Sequence, residues 1–528
     1  MTNSTTASTT ETTPVLVVGG SLVGLSAAVF LAWQDVPLVV VEKHQGSSLH
    51  PRAIGYTTRT LELFRQVGIE VPTSGHGSGA PRRARVESLA GRWMEEYPWS
   101  PGGGPKPQIR YSPVGGTAIA QDKLEPILRD RARDLGADLR LGTELIGFTQ
   151  DDDGVSATLR RRDDGHEYEI RAQYVIAADG ATSPTREALG IGREGEGLLS
   201  VQRSILFTAP IDHYLEKGVV QFEIGQPDFT AFLTTYSDGR WVLMLSDDVD
   251  RTEDEQKTLV RQAVGIPDLP VELITTGRWE LAALIAKRFS AGRVFLAGDA
   301  AHQLPPNRGG FGANTGIDDV HNLAWKLSAV LSGQSDPRLL DTYDAERRPI
   351  AELRHEQIFA RADYKAFLTA PRSDVPVLDD NAIELGQLYR SDAVAGAGPE
   401  LPPAQRPDEW AGQPGTRAPH LPITTTDGQE TSTLDLFGRG WVLLSQDPLW
   451  APAAQQTTDH LGIPVRFVHL GAEVDTTDPH TFPTAFGTGP QGATLVRPDG
   501  YIAWRTTDVP VSPAETLTDA LARVAAAG

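Results

Sequence analysis

The order of apolar and polar positions divides the chain into stretches of distinct character. Val15–Val18 is a short apolar run closed by Gly19 and Gly20, which predicts a strand buried on both faces of a parallel sheet. Gly24–Ala32 follows as a helix with small residues for close packing, and Leu38–Val41 is a second apolar run ending at Glu42. The chain therefore opens with a strand–helix–strand unit. Thr58–Val67 and Gln121–Leu135 carry helical periodicity, and Glu167–Ala178 predicts a strand running into Asp179-Gly180. From about Ser204 to Asp248 the pattern becomes alternating. Val219–Ile224, Phe229–Tyr236 and Trp241–Ser246, separated by Gly225-Gln-Pro227 and Ser237-Asp-Gly239, predict an antiparallel sheet with one wet face. Arg293–Ala297 returns to a buried strand and Gly316–Leu331 to a long helix. Pro371–Pro419, rich in Pro, Gly and Asp, predicts a connector with local structure. Trp441–Leu444, Val465–Val468, Ala493–Val496 and Ile502–Trp504 then predict strands before a closing helix over Pro513–Ala527, a separate small α/β unit.

Composition narrows the chemistry. A net charge of −21, with no Lys/Arg-rich run to offset it, argues against a nucleic-acid backbone or an anionic membrane surface as partner. The chain has no cysteine, which excludes disulfides, Cys-ligated metal sites and thiol chemistry, so any redox reaction must use a bound cofactor. Met1–Thr13 lacks the basic start and apolar core of a secretory signal and reads as a disordered tail. The apolar stretch Pro14–Val41 is broken by Gly19, Gly20, Ser21, Gly24, Gln34 and Asp35, too often for a membrane span. The chain is expected to be cytoplasmic.

Three motifs carry chemistry. Gly19-Gly-Ser-Leu-Val-Gly24 sits between the first strand and its helix, with Glu42 at the end of the next strand. Glycines there let the backbone approach a pyrophosphate on the helix N-terminus, and the acid accepts hydrogen bonds from a ribose. Ser21 replaces the usual middle glycine and, being small, is expected to weaken the turn only slightly. The second motif is Ala177-Ala-Asp-Gly-Ala-Thr-Ser-Pro-Thr-Arg186, which taken alone reads as a strand-to-helix turn with a capping acid. The third runs from Arg293 through Gly298-Asp-Ala-Ala-His302 and Leu304-Pro-Pro-Asn-Arg-Gly-Gly-Phe-Gly-Ala-Asn314 into Gly316–Lys326. Asp299 is placed to accept from hydroxyls of a sugar or ribityl chain, and the Gly-rich loop leads to a helix N-terminus suited to negative charge on an isoalloxazine ring.

With these motifs in this order, the chain resembles the class A, single-component FAD-dependent aromatic hydroxylases, the group typified by para-hydroxybenzoate hydroxylase, over roughly Pro14–Leu340. Through Ser47-Ser-Leu-His-Pro-Arg-Ala53, Thr58-Arg-Thr-Leu-Glu-Leu63 and the extra C-terminal unit it is most similar to the polyketide hydroxylases of anthracycline, angucycline and tetracycline pathways. The resemblance implies an α/β fold: a Rossmann-like FAD-binding domain, a middle antiparallel substrate domain and a C-terminal thioredoxin-like domain. The divisions it implies are 14–180 for the first FAD-binding part, with an insertion near 82–115 joining the substrate domain, and 181–278 for the substrate domain. The second FAD-binding part with connecting helices covers 279–400, and the last domain 401–528. Without cysteine that domain is left a packing or dimer role. The resemblance places Gly19, Ser21, Leu22, Val23 and Gly24 at the pyrophosphate, Glu42 and Lys43 at the adenosine ribose, and Leu145 beside adenine. It assigns Gln121, Asp179 and Asp299 to the cofactor, and Pro305, Pro306, Gly309, Gly310, Gly312 and Asn314 to the flavin ring and oxygen pocket. Arg52 falls near the flavin and the transient nicotinamide site.

The activity implied is monooxygenation. NADPH or NADH reduces FAD, O2 adds at flavin C4a, and the C4a-hydroperoxyflavin hydroxylates a polycyclic aromatic polyketide in antibiotic or other secondary metabolism. Arg52 and Pro305 are the catalytic candidates beside the ring. Arg390, in Gln387-Leu-Tyr-Arg390, is either the cation that activates a phenol oxygen or an exposed loop arginine. Phe222, Phe232, Tyr236 and Met244 either line the substrate pocket or belong to the core, because alternation alone does not say which face meets the cavity. Baeyer–Villiger oxygenation on the same scaffold and a non-catalytic flavin-binding protein are the alternatives. A halogenase would need a Trp-x-Trp-x-Ile-Pro run, which is missing from the sequence. No metal is expected, and the chain is read as a monomer or homodimer.

Overall fold

Glu11–Val18 is the central strand of the first sheet, pairing in parallel with Leu38–Glu42 on one side and Glu167–Ala177 on the other. The computed structural model describes residues 10–50, 53–72, 82–98, 110–306, 311–361, 374–476 and 480–527. Asp138–Leu141 extends the sheet beyond Leu38–Glu42, and Val294–Leu296 extends it beyond Glu167–Ala177. The hairpin Thr143–Gln150/Val155–Arg161 adds antiparallel strands. Glu11, Thr12 and Thr13, read as part of a tail, pair with Ile170, Arg171 and Ala172. A ladder needs backbone groups rather than apolar side chains, and threonine suits it. Helix α1 (Leu22–Trp33) is apolar all round because it is covered on both sides, by the sheet and by later helices. Helices α2 (Thr58–Gln66), α3 (Gln121–Asp134) and α4 (Pro184–Ala188) complete this layer.

The second sheet has eight strands, ordered His302–Gln303, Glu272–Ala286, Arg193–Thr208, Arg240–Leu245, Phe229–Thr235, Val219–Gln226, Arg82–Val86 and Trp93–Pro98. Its register sorts the side chains into two faces. Phe222, Leu233, Leu243 and Ile205 stand opposite one another across four strands, and so, one residue along, do Glu223, Phe232, Met244 and Ser204. The first row packs under α5 (Glu253–Val264) with Trp241 and Val260. On the second face Tyr236, Leu206 and Val242 cluster with Ala120, and Met244 and Ile54 pack against them, towards the first domain.

The chain then returns to the first domain through α6 (Phe311–Leu331), α7 (Thr342–Ala360) and α8 (Asp380–Leu385). Helix α6 begins five residues before Gly316, so Gly312 and Gly316 lie inside it. The C-terminal unit pairs Trp441–Ser445 in parallel with Val465–His469 through α9 (Trp450–Leu461). After α10 (Thr481–Phe486), it adds Ala493–Val496 and Ile502–Thr506 antiparallel, and it ends in α11 (Pro513–Val524). This is the thioredoxin order of strands and helices. Trp325 of α6 inserts into its core beside Trp441 and Trp450. Among the described residues, no helix is long and apolar enough to cross a membrane, and no His, Asp or Glu cluster could hold a metal.

Candidate active site

The first glycine turn is shaped by close approach. Gly19 has φ +103°, and a Cβ there would lie 2.2 Å from the Ala178 carbonyl oxygen. A Cβ on Gly24 would lie 1.8 Å from the Gly19 carbonyl oxygen. The first intrahelical bond of α1 runs from Leu25 N–H to Ser21 O, so the N–H groups of Leu22, Val23 and Gly24 precede it and point out of the helix end. Ser21 does more than fit. Its hydroxyl donates to Glu125 Oε1 (2.6 Å) and accepts from Gln121 Nε2 (3.0 Å), while Gln121 also donates to Glu125 (2.8 Å). The serine at the middle-glycine position thus ties the turn to α3. Glu42 accepts from Gly20 N–H (2.7 Å) and His44 N–H (2.8 Å), at the edge of the same turn. Lys43 is exposed, and Leu145 packs opposite Leu159 against the layer containing Val18 and Val41.

The third motif meets this turn over one side chain. A Cβ on Gly298 would lie 2.8 Å from Val23 Cγ2, and one on Gly316 would lie 2.6 Å from it and 2.8 Å from Gly298 Cα. These two glycines therefore let the Gly298–Ala300 turn and α6 close on α1. Asp299 is left exposed at that junction, its Oδ1 4.0 Å from the Cβ position of Gly312 in the first turn of α6. Two helix N-termini and one free-standing carboxylate converge there. Pro305 is buried and Pro306 exposed on the approach to α6; Arg52, Gly309 and Gly310 lie outside the described residues.

Four readings need correction. Asp179 accepts from Ser183 Oγ (2.6 Å) and Thr185 N–H (3.0 Å), so its carboxylate caps α4 rather than facing a cofactor. The Asn314 side chain accepts from Thr57 N–H (3.0 Å) and Thr60 Oγ1 (2.6 Å) and donates to Gly55 O (3.1 Å). It fastens α6 to α2. Phe222 is fully buried against Trp93 and Trp241 on the face away from the flavin domain, so it is a core residue, whereas Phe232 and Met244 are half-buried on the facing side. Arg390 donates to the carbonyls of Gly398 (3.2 Å), Leu401 and Pro402 (3.3 Å), clamping its own connector instead of a substrate. Arg390→Ala is accordingly expected to lower stability by about 1–3 kcal/mol and to leave the coupling of nicotinamide oxidation to product unchanged, read as peroxide released per turnover.

Periodicity did not expose the buried charges of α6 and α7. Asp319 accepts from Gly298 N–H (3.2 Å) and Arg347 Nε (2.8 Å) and lies 2.7 Å from His302 Nε2. Burial works against its charge, but His302 and Arg347 hold the carboxyl below the usual carboxylate range. The Asp299 turn is thus fixed from beneath. Arg186, also buried, bonds the carbonyls of Ala181 and Ala300 and links the second motif to the third.

Residues 12–357 match the FAD binding domain family and 411–527 the aromatic-ring hydroxylase C-terminal family. The chain belongs to the FAD-dependent aromatic-ring hydroxylases. This hydroxylase is 39% identical to a 4-methyl-5-nitrocatechol 5-monooxygenase from a Burkholderia species, over 97% of each chain. It is also 39% identical to the aklavinone 12-hydroxylase RdmE of Streptomyces purpurascens, over 97% of this chain and 98% of that one. A crystal structure of aklavinone-11 hydroxylase in ternary complex with FAD and aklavinone superposes with a TM-score of 0.88 at 37% identity, covering 97% and 99% of the two chains. The hydroxylase is an FAD enzyme that uses O2 and a reduced nicotinamide cosubstrate. Its residues fit the cofactor: the glycine cradle leaves no room for a Cβ, the first N–H groups of α1 point out of its helix end, and Asp299 is exposed at the junction. Asp299→Ala is expected to remove a charged hydrogen bond of about 1.5–3 kcal/mol. That weakens FAD binding by about ten- to hundredfold, measured by flavin fluorescence on titration of the apoprotein.

Proposed function

We propose that this enzyme hydroxylates a flat, oxygen-bearing polycyclic aromatic of the polyketide class, held between the second sheet and the Asp299–α6 junction. The observation that carries the reading is the sheet face itself. Phe232 and Met244 are half-buried there as the apolar part of a row that also carries Glu223 and Ser204, and Gln202, bonded to Ser246 Oγ at 3.0 Å, adds a further polar group. Such a mixture suits fused rings with phenol or quinone oxygens. Leu49 and Leu198 are 72% and 56% exposed, and Leu199 packs against the cluster of Leu304 and Phe311. Relatives named for aklavinone and tetracenomycin substrates support the same class.

When bound, FAD accepts hydride from the nicotinamide and activates dioxygen for transfer to the substrate. The chain's own residues do the positioning. The N–H groups of Leu22–Gly24 would receive the pyrophosphate, Glu42 the ribose hydroxyls and Asp299 the ribityl hydroxyls. The first turn of α6 would lend its N–H dipoles to negative charge on the ring. Leu304, Phe311 and Ala283 form a buried apolar cluster that would exclude water on one side of the cofactor site. Baeyer–Villiger insertion is the competing outcome, and the nitrocatechol relative favours a smaller ring as the competing substrate. Incubation with NADPH, O2, tetracyclic polyketides and nitrocatechols tests all three. Substrate-stimulated nicotinamide oxidation with one oxygen added to a tetracycle is expected, and NMR separates a hydroxyl from a lactone. Turnover of the catechols alone would overturn the substrate class.

A further inference from the structure

One buried arginine has no role in the assignments above. Arg354, on the inner face of α7, is 1% exposed. Its Nη1 donates to Thr315 Oγ1 at 2.5 Å, and that hydroxyl donates to the Phe311 carbonyl at 2.6 Å. Its Cζ stands 5.5 Å from the centre of the Phe311 ring. Both contacts fall within the first turn and a half of α6, the turn that faces Asp299.

The charge of Arg354 is poorly matched. The carboxylate of Asp318 is 4.0 Å away and is shared with Arg59 at 3.4 Å and Arg347 at 3.7 Å. Asp319 is engaged by Arg347 and His302. Glu384, on α8, accepts from Arg59 N–H at 3.1 Å, and burial raises its carboxyl towards the neutral form. Among the described residues, Arg354 Nε is buried without a hydrogen-bond partner. Burial disfavours the guanidinium charge, with Asp318 opposing that effect and Arg347 adding to it. A buried cation held at this cost, against the positive end of a 21-residue helix, is an arrangement for an anion on the far side of that helix end.

We propose that Arg354 is a positioning residue for the flavin. It pins the first turn of α6 through Thr315 and Phe311, and lends that turn a positive charge that stabilises negative charge on the ring lying against it. The inference concerns the cofactor alone and does not depend on which aromatic is hydroxylated.

Sulfite reports this directly without turnover, because it adds to oxidised flavin and leaves negative charge on the ring. Titration of the FAD-loaded protein, followed by loss of flavin absorbance, is compared for wild type, Arg354→Met and Arg354→Lys. Arg354→Met is expected to raise the sulfite dissociation constant about tenfold, equivalent to about 30 mV in a two-electron potential. Arg354→Lys, which keeps the charge, is expected to recover most of that loss. Unchanged sulfite binding in a flavin-retaining Arg354→Met protein would overturn the proposal, as would a lysine variant as weak as methionine. Should Arg354→Met fail to hold FAD, Thr315→Val decides, being nearly isosteric and within a helix. It removes the oxygen that brings the guanidinium to α6, and a sulfite constant equal to wild type would then reject the role.

Discussion

Gly24→Ala is expected to give a protein that is purified without flavin. Its new Cβ would lie 1.8 Å from the Gly19 carbonyl oxygen, and that atom belongs to a turn clamped elsewhere. Gly19 has little room to retreat, because its N–H is tied to Val41 O at 2.9 Å and the space on its Cβ side is closed by Ala178 O, 2.2 Å from where a Cβ would stand. Nor can α1 slide outward, since Val23 wedges against Gly298 and Gly316, and α1 packs along α3 and α6. Overpacking of this kind costs about 1–3 kcal/mol in a core that can shift, and more where the neighbour is backbone. The larger loss is linkage. A ligand present at a thousand times its dissociation constant adds about 4 kcal/mol to the folded state, and a distorted pyrophosphate turn forfeits it. Flavin absorbance of the purified protein and thermal unfolding with and without added FAD provide the check. Retained flavin with an unshifted melting temperature would show that the turn is looser than its contacts require.

The contrast between this turn and the second sheet shows how far sequence reasoning reaches. The tight turn at Gly19 and Gly24, with Glu42 at its edge, was legible because close backbone approach constrains residue type at fixed spacing, and the strand–turn–helix context is local. The alternating strands of the second sheet were legible for the same reason, but their facing was not. Phe222 and Phe232 sit on neighbouring strands with similar surroundings in sequence, and only the presence of α5 over one face makes the first a core residue. Asp179, Asn314 and Arg390 failed differently. Each is a polar residue in or near a motif, yet each finds its partners in nearby backbone or in a helix far along the chain. Ser21 was read as a tolerated departure, whereas its partner Glu125 lies 104 residues away and could not be inferred from spacing. Hydrophobic periodicity also assigns charged positions of α6 and α7 to water by default. The structure instead buries Asp318, Asp319, Lys326, Glu346, Arg347 and Arg354.

The second large effect is expected at the seam where the C-terminal unit meets those helices. Glu346 of α7 is fully buried and accepts from Arg497 Nη1 (2.6 Å) and Nη2 (2.9 Å), Lys326 Nζ (2.8 Å), Asn322 Nδ2 (2.7 Å) and Ser391 Oγ (2.6 Å). Arg497 also pairs with Asp499, whose carbonyl accepts from Arg59 Nη2 at 3.2 Å. Nearby, Arg417 pairs with Glu62 of α2. Burial pushes Lys326 down to about 8 despite the adjacent Glu346, a measure of how costly these charges are to hold away from water. The set therefore contributes little net stability while intact, but removal of one member strands the others. Arg497→Met leaves Glu346 with Lys326 as its cation beside the neutral donors Asn322 and Ser391, and Asp499 without its guanidinium, and is expected to cost about 3–5 kcal/mol. Because Trp325 anchors α6 in the same C-terminal core, the seam should open as a unit and loosen the helix whose other end lies beside Asp299. Urea unfolding followed by tryptophan fluorescence, with limited proteolysis of the connector, reads both consequences. Replacing Arg497, Glu346, Lys326 and Asp499 together by apolar residues of similar size is expected to cost less than Arg497→Met alone. Should the fourfold variant instead be the less stable of the two, the charges stabilise the seam outright, and the C-terminal unit is held by ion pairing rather than by its apolar core.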